Sequence, residues 1–214
     1  MSKNTSWKEA LSQKNFQIHL FISGFAAVLL VLFIPYFLNE ILLQKPGILL
    51  HDFILNQLEP KDWSWIIFGL IYSSVLLTVL FNYSKPYLIL LGIETYITIN
   101  LIRIITMYCV TLEPPLTSIP LTDPLITKIA YGNVVYLKDL FFSGHVSTLF
   151  LLFLIAENKL LKIFLLTSTI VVAFLILWQH VHYSVDVLSA PVFAWIAFYM
   201  IKKVNSRHFS KAMA

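Results

Sequence analysis

Hydrophobic positions in this chain fall in long runs, without the alternation of a half-buried strand or the polar stripe of a surface helix. Residues 16–38 and 63–84 contain no Asp, Glu, Lys or Arg, and the second run opens on Trp63 and Trp65, as at a membrane interface. A third run, 87–110, is interrupted only by Glu94 and Arg103, and a fourth covers 140–156. From 163 to 201 the only formal charge is Asp186. At about 1.5 Å per residue that stretch is too long for one crossing of a ~30 Å hydrocarbon core. Gln179, His180, His182 and Ser184 mark where it folds back. The pattern therefore predicts an all-α integral membrane protein forming a single domain over 1–214. Its six transmembrane helices are expected at about 16–38, 63–84, 87–110, 140–156, 163–180 and 183–201.

Composition agrees with this reading. Of 214 residues 58% are hydrophobic and 12% charged, where a soluble domain carries about 25% charge. Six spans and their connections leave no length for a separate soluble domain. The first run is too long for the apolar region of a cleavable signal and ends without a small-residue cleavage site, so it is expected to be retained. The single cysteine, Cys109, excludes an intramolecular disulfide and a multi-cysteine metal site.

The net charge of +4 reflects topology and not a nucleic-acid patch. Under six-span alternation Lys3, Lys8, Lys14, Lys85, Lys159, Lys162, Lys202, Lys203, Arg207 and Lys211 share one side. Only Lys45, Lys61, Lys128 and Lys138 fall on the other, with Arg103 inside a span. The positive-inside rule then puts both termini in the cytoplasm. Two longer outer connections result, 39–62 and 111–139. The second holds Pro114, Pro115, Pro120 and Pro124, which oppose a regular helix through its first half.

With that topology, three polar groups meet at the outer face: Arg103; Asp139 with Ser143, Gly144 and His145; and His180 with His182 and Asp186. His182 and Asp186 are four apart and share a helix face if the last helix has begun by His182. A carboxylate there would accept the ring N–H, fix the tautomer and leave the other nitrogen as nucleophile or base; the alternative is an interfacial histidine beside a capping aspartate. Ser143-Gly144-His145 opens a helix whose free N–H groups favour an anion such as phosphate, with His145 placed as acid to a leaving alkoxide. Read alone, it is more readily a capping serine with a bystander histidine. Arg103 in a membrane needs a partner, and a phosphate diester offers a bidentate one; snorkelling to outer headgroups is the alternative. Glu94 lies nine residues before Arg103, about 180° around the helix, and is read first as an interhelical hydrogen-bonding residue, second as a cavity acid. His180 and His182 also form a His-x-His pair, but zinc usually takes three protein ligands, and phosphate chemistry accounts for the glycine and arginine as well.

Taken together these residues resemble the sphingomyelin synthase group of the type 2 phosphatidic acid phosphatase superfamily. Ser143-Gly144-His145 is similar to its Ser-Gly-His motif, with Asp139 six residues ahead of the histidine. His180 through Val187 (HVHYSVDV) is similar to its His-x-His-Tyr-Thr-x-Asp-Val motif, and Arg103 through Pro114 to its Arg-x-x-Thr-Met-Tyr segment. The resemblance implies a two-step transfer without metal or other cofactor. His182, oriented by Asp186, attacks the phosphorus of a glycerophospholipid, and His145 protonates the departing diacylglycerol and then deprotonates a ceramide-type or diacylglycerol-type alcohol. Arg103, Ser143, Gly144, Asp139, Lys138 and His180 would bind the phosphate and headgroup.

Departures from the family pattern leave the headgroup open. Leu137-Lys138 stands where Cys-Gly is common, Pro191 where tyrosine is common, and Val146 and Ser184 where threonine follows each histidine. A hydrolase of the same superfamily is the first rival, yet the chain has no Arg-Pro and carries Ile176 six residues before His182. A non-enzymatic scaffold or carrier is the second. The compact chain favours a bacterial inner membrane with the site facing the periplasm, or the lumen in a eukaryote; homo-oligomerisation stays open.

Overall fold

The computed structural model describes residues 5–123 and 137–209. Lys3, Pro124, Lys128 and Lys211, used above for topology and loop character, lie outside the described residues. A short helix α1 (Trp7–Leu11) is started by Ser6 and Glu9, whose side chains cap each other's backbone N–H groups. It leads into α2 (Lys14–Tyr36), which continues as a π-helical turn over Phe37–Leu42. Then come α3 (Ser64–Asn82), α4 (Pro86–Cys109), α5 (Gly144–Ile155), α6 (Lys159–Trp178) and α7 (Ser184–His208). Pro86 suits the first turn of α4, where its missing N–H costs nothing. Asn158 opens α6 by accepting from the Leu160 and Leu161 N–H groups. That cap starts α6 at Lys159, four residues before the charge-free run that marked it in the sequence. No strand occurs among the described residues, only one isolated bridge between Ile48 and Leu112.

Five of these helices are long and apolar enough to cross a membrane: α2 with its extension, α3, α4, α6 and α7. The chain is thus a multi-pass helical membrane protein. The apolar run 140–156, expected as a span, is helical only over the 12 residues of α5, about 18 Å at 1.5 Å per residue. Its first residues have other partners. The Phe142 carbonyl accepts from Arg103, and the Ser143 N–H donates to the Asp186 carbonyl. Backbone bonds that would have extended the helix are instead made to α4 and α7. A non-helical entry at membrane depth is tolerated where protein surrounds it, and α5 is the centre of the bundle, packed by α3, α4, α6 and α7.

Close packing around α5 comes from small residues. Ala190, Ala194 and Ala197 of α7 are fully buried with Val146 and Leu149 of α5 and Val172 and Ile176 of α6, the spacing by which helices approach closely in lipid. Buried hydroxyls in the spans bond carbonyls four residues back, as Thr78, Thr95 and Thr169 do. By contrast α2 packs mainly on α4 and leaves Phe21, Phe25, Val31 and Leu32 exposed.

Glu94 fastens that peripheral helix. Its Oε1 lies 2.7 Å from His19 Nδ1 of α2, and its Oε2 accepts from Asn205 Nδ2 of α7 at 2.6 Å. It is an interhelical tie and is not among the residues lining the cavity described below. Glu94→Leu should strand the buried Asn205 amide and lower stability by about 1–3 kcal/mol. A thermal melt in detergent would read this as a lower midpoint, and an unchanged midpoint would show the tie to be inert.

Candidate active site

The turn between α6 and α7 carries the first half of the site. α6 ends at Trp178, and Gln179 is held from several sides. Its Oε1 accepts from the Trp63 N–H at 2.8 Å, and its amide donates to Ser64 Oγ and the Ile119 carbonyl. His180 follows with φ 57°, a left-handed conformation that costs a non-glycine residue roughly 1–2 kcal/mol. Its Nδ1 is 2.6 Å from Thr117 Oγ1. Burial holds His180 below its ordinary pKa, against opposing effects of the Leu58 backbone and the Asp52 charge.

The reversal places His182 just before α7, not on its face. The condition attached to the four-residue spacing, that the helix has begun by His182, is not met, because Tyr183 is the cap and Ser184 the first helical residue. The pair nevertheless forms. Asp186 turns its carboxylate back toward the cap, where Oδ2 accepts from the Tyr183 N–H at 3.1 Å and lies 3.3 Å from His182 Nδ1. Both side chains are buried. With Nδ1 facing the carboxylate, Nε2 is the nitrogen left for the cavity that the ring lines.

The second half is built where α4 meets the entry to α5. Arg103, buried near the end of α4, donates through Nε to the Phe142 carbonyl at 2.9 Å and through Nη2 to Asp139 Oδ1 at 2.5 Å. A guanidinium has five N–H donors, so these two bonds do not exhaust it. It lies directly over Gly144: a Cβ there would come 2.7 Å from Nη1 and 2.8 Å from Cζ. Gly144 is thus glycine because the guanidinium occupies the side-chain position. Burial raises the pKa of Asp139, but the Arg103 charge, supported by His182 and His145, outweighs it and holds the carboxyl below its ordinary value.

Arg103, Asp139, Gly144, His145 and His182 meet at one end of a cavity of about 930 Å³. The cavity continues inward between α2, α3, α4 and α5 past apolar residues such as Val75, Ile97 and Leu151. His145 sits edge-on to Phe68, centroids 5.8 Å apart. Ser143 Oγ, His145 Nδ1 and Asp186 Oδ1 are buried without a partner among the described residues. Unpaired buried polar atoms are costly, and His145 Nδ1, on a residue that lines the cavity, suits a site that a polar ligand completes.

Not every expected residue joins them. Lys138, proposed as a phosphate helper, points elsewhere: its ammonium binds Glu113 Oε1 at 2.7 Å and the Lys45 carbonyl at 2.9 Å. His180 faces Thr117, and neither residue lines the cavity. Ser143 sits behind Gly144, and its hydroxyl does not cap α5. Among the described residues no group of three His, Cys, Asp or Glu is placed to hold a metal.

Other residues enter that the motifs did not mark. Tyr72 and Asp123 line the same cavity, and the Tyr72 hydroxyl donates to the Asp123 carboxylate at 2.6 Å. Asp52 and Glu113 reach the turn from the outer connections. No motif or spacing marks them, because the contacts that bring them to the turn, Asp52 to Ser184 and Glu113 to Tyr183, join residues far apart in the chain.

The fold and site therefore define a helical membrane protein with a buried histidine–aspartate pair, a second histidine and an arginine at one cavity end. Residues 138–204 match the family model described as PAP2 superfamily C-terminal. The match covers Asp139, His145, His182 and Asp186 and stops short of Arg103, so that over this stretch the chain is similar to the PAP2 superfamily. No curated protein matches the chain.

Proposed function

We propose that the chain is a sphingomyelin synthase-like lipid phosphotransferase, moving a phospho-headgroup from a glycerophospholipid to ceramide or a similar lipid alcohol. The observation that carries this reading is the His182–Asp186 pair at 3.3 Å, sharing a cavity end with His145 and Arg103. In the first step His182 Nε2 attacks phosphorus, the bond from phosphorus to the diacylglycerol oxygen breaks, and His145 donates a proton to that oxygen. In the second, His145 takes the acceptor's hydroxyl proton, the acceptor oxygen bonds to phosphorus and the phosphohistidine bond breaks. Asp186 stabilises the charge that develops on His182, and Arg103 with the α5 N–H groups stabilises that on the phosphoryl oxygens. With both termini cytoplasmic, the site faces the outer leaflet, which is periplasmic in a bacterial inner membrane.

The test uses purified protein in vesicles of phosphate-labelled phosphatidylcholine or phosphatidylethanolamine with ceramide or a short-chain diacylglycerol. Label appearing in the acceptor lipid, and absent with His182→Ala, is the expected result. Label released as free headgroup phosphate, without acceptor product, would establish the hydrolase instead. No His182-dependent product from either donor would refute both and leave the scaffold.

A further inference from the structure

Tyr183 and Ser184 take no part in the transfer steps, yet both are gripped by the outer connections. The Ser184 N–H donates to Asp52 Oδ2 at 2.6 Å and its hydroxyl to Asp52 Oδ1 at 3.0 Å, across 132 residues of chain. The same carboxylate accepts from the Ile54 N–H at 2.9 Å and the Leu55 N–H at 3.3 Å, so it closes its own turn while it holds the start of α7. The Tyr183 hydroxyl donates to the Glu113 carbonyl at 2.9 Å and accepts from the Leu50 N–H at 3.4 Å.

These contacts belong to one strap. The backbones of Ile48 and of Thr111 and Glu113 exchange hydrogen bonds at 2.9 and 3.0 Å. The Glu113 carboxylate accepts from Gly47 N–H at 2.8 Å and from Lys138 at 2.7 Å. Lys138 precedes Asp139, the partner of Arg103. One end of the strap thus grips the turn bearing His182, and the other adjoins the segment bearing Asp139. His182 needs such a hold. It lies outside α7, stands two residues after the left-handed His180, and meets Asp186 at the long distance of 3.3 Å.

We propose that Asp52 is a positioning residue for His182: its carboxylate, clasping the Ser184 backbone and hydroxyl, fixes the turn that aims the imidazole at the substrate phosphorus. The proposal rests on the phosphotransfer reading above. Misplacement of a reacting group by about 1 Å can cost ~100-fold in rate, so Asp52→Ala should lower kcat by about 10- to 100-fold with KM little changed. Asp52→Asn, which keeps one acceptor oxygen, should recover part of that loss. Because Asp52 acts through His182, its effect should shrink in an Asp186→Asn background, where the ring is already poorly held.

The labelled-lipid vesicle assay, run with thermal melts of each variant, reads all of this. Should Asp52→Ala fail to fold, Asp52→Asn and Ser184→Ala carry the same cycle with smaller kcat losses. Wild-type kcat in a folded Asp52 variant, a rise in KM alone, or losses that multiply independently of Asp186→Asn would overturn the proposal. His182→Ala separates the two readings. If it leaves turnover intact the transfer reading fails; if it abolishes turnover while Asp52→Ala does not, only the positioning role fails.

Discussion

His182→Ala is expected to lower lipid phosphotransfer by about 10³- to 10⁶-fold, the scale on which removal of a covalent nucleophile acts in enzymes whose catalytic groups work as a unit. Alanine removes a ring whose Nδ1 is held by a buried carboxylate, so the two-step path is closed. The fold should survive the change. His182 precedes α7, and Asp186 keeps its bond from the Tyr183 N–H, so the start of the helix remains capped. Asp186→Asn should cost less, about 10²- to 10⁴-fold, since the ring remains but its tautomer and developing charge are no longer supported. Single-turnover assays on folded protein, checked by circular dichroism, measure both. A His182→Ala protein that still transfers headgroup within tenfold of the parent would mean that the phosphoryl group never rests on this residue.

The residues also show what a sequence can and cannot reveal about such a site. The apolar runs exposed the long helices because a bilayer imposes length and composition on each crossing separately. Glu94 could be assigned away from Arg103 because helical rotation over nine residues is a local property, and its partners are indeed on α2 and α7. The run 140–156 forms a shorter helix than its composition suggests, for the opposite reason. Its composition suits a full span, but its first residues bond Arg103 and Asp186, which are distant in sequence. His182 and Asp186 were paired by a helix-face argument, whereas the contact arises from capping before the helix begins. Lys138 stood as a phosphate-binding helper beside Arg103. Its real partner, Glu113, is brought near by a bridge between the two outer connections that no spacing predicts. Asp52 was invisible on the same ground. Local rules locate the helices, the histidines and Asp186; Asp52 and Glu113, which hold the turn, come from tertiary contacts.

Arg103 and Gly144 should fail together, and the geometry says how. Gly144→Ala places a methyl where Nη1 and Cζ now lie, at 2.7 and 2.8 Å, so the guanidinium must leave or the entry to α5 must open. Either movement breaks the 2.5 Å pair with Asp139 or the 2.9 Å bond to Phe142. Arg103→Lys keeps a positive charge but loses the planar fork, and a lysine cannot hold the Phe142 carbonyl and Asp139 while presenting further N–H groups to a phosphoryl oxygen. Removing one donor that stabilises transition-state charge costs about 10²- to 10³-fold in kcat, and both variants are expected in that range. Because each disturbs the same guanidinium, the double variant should be little worse than the poorer single one. Effects that multiply would instead separate the glycine from the arginine and assign Gly144 to the backbone approach of the ligand. A transferase with Arg103→Lys at near-parental kcat would remove the guanidinium from the phosphoryl site and leave it as a structural partner of Asp139.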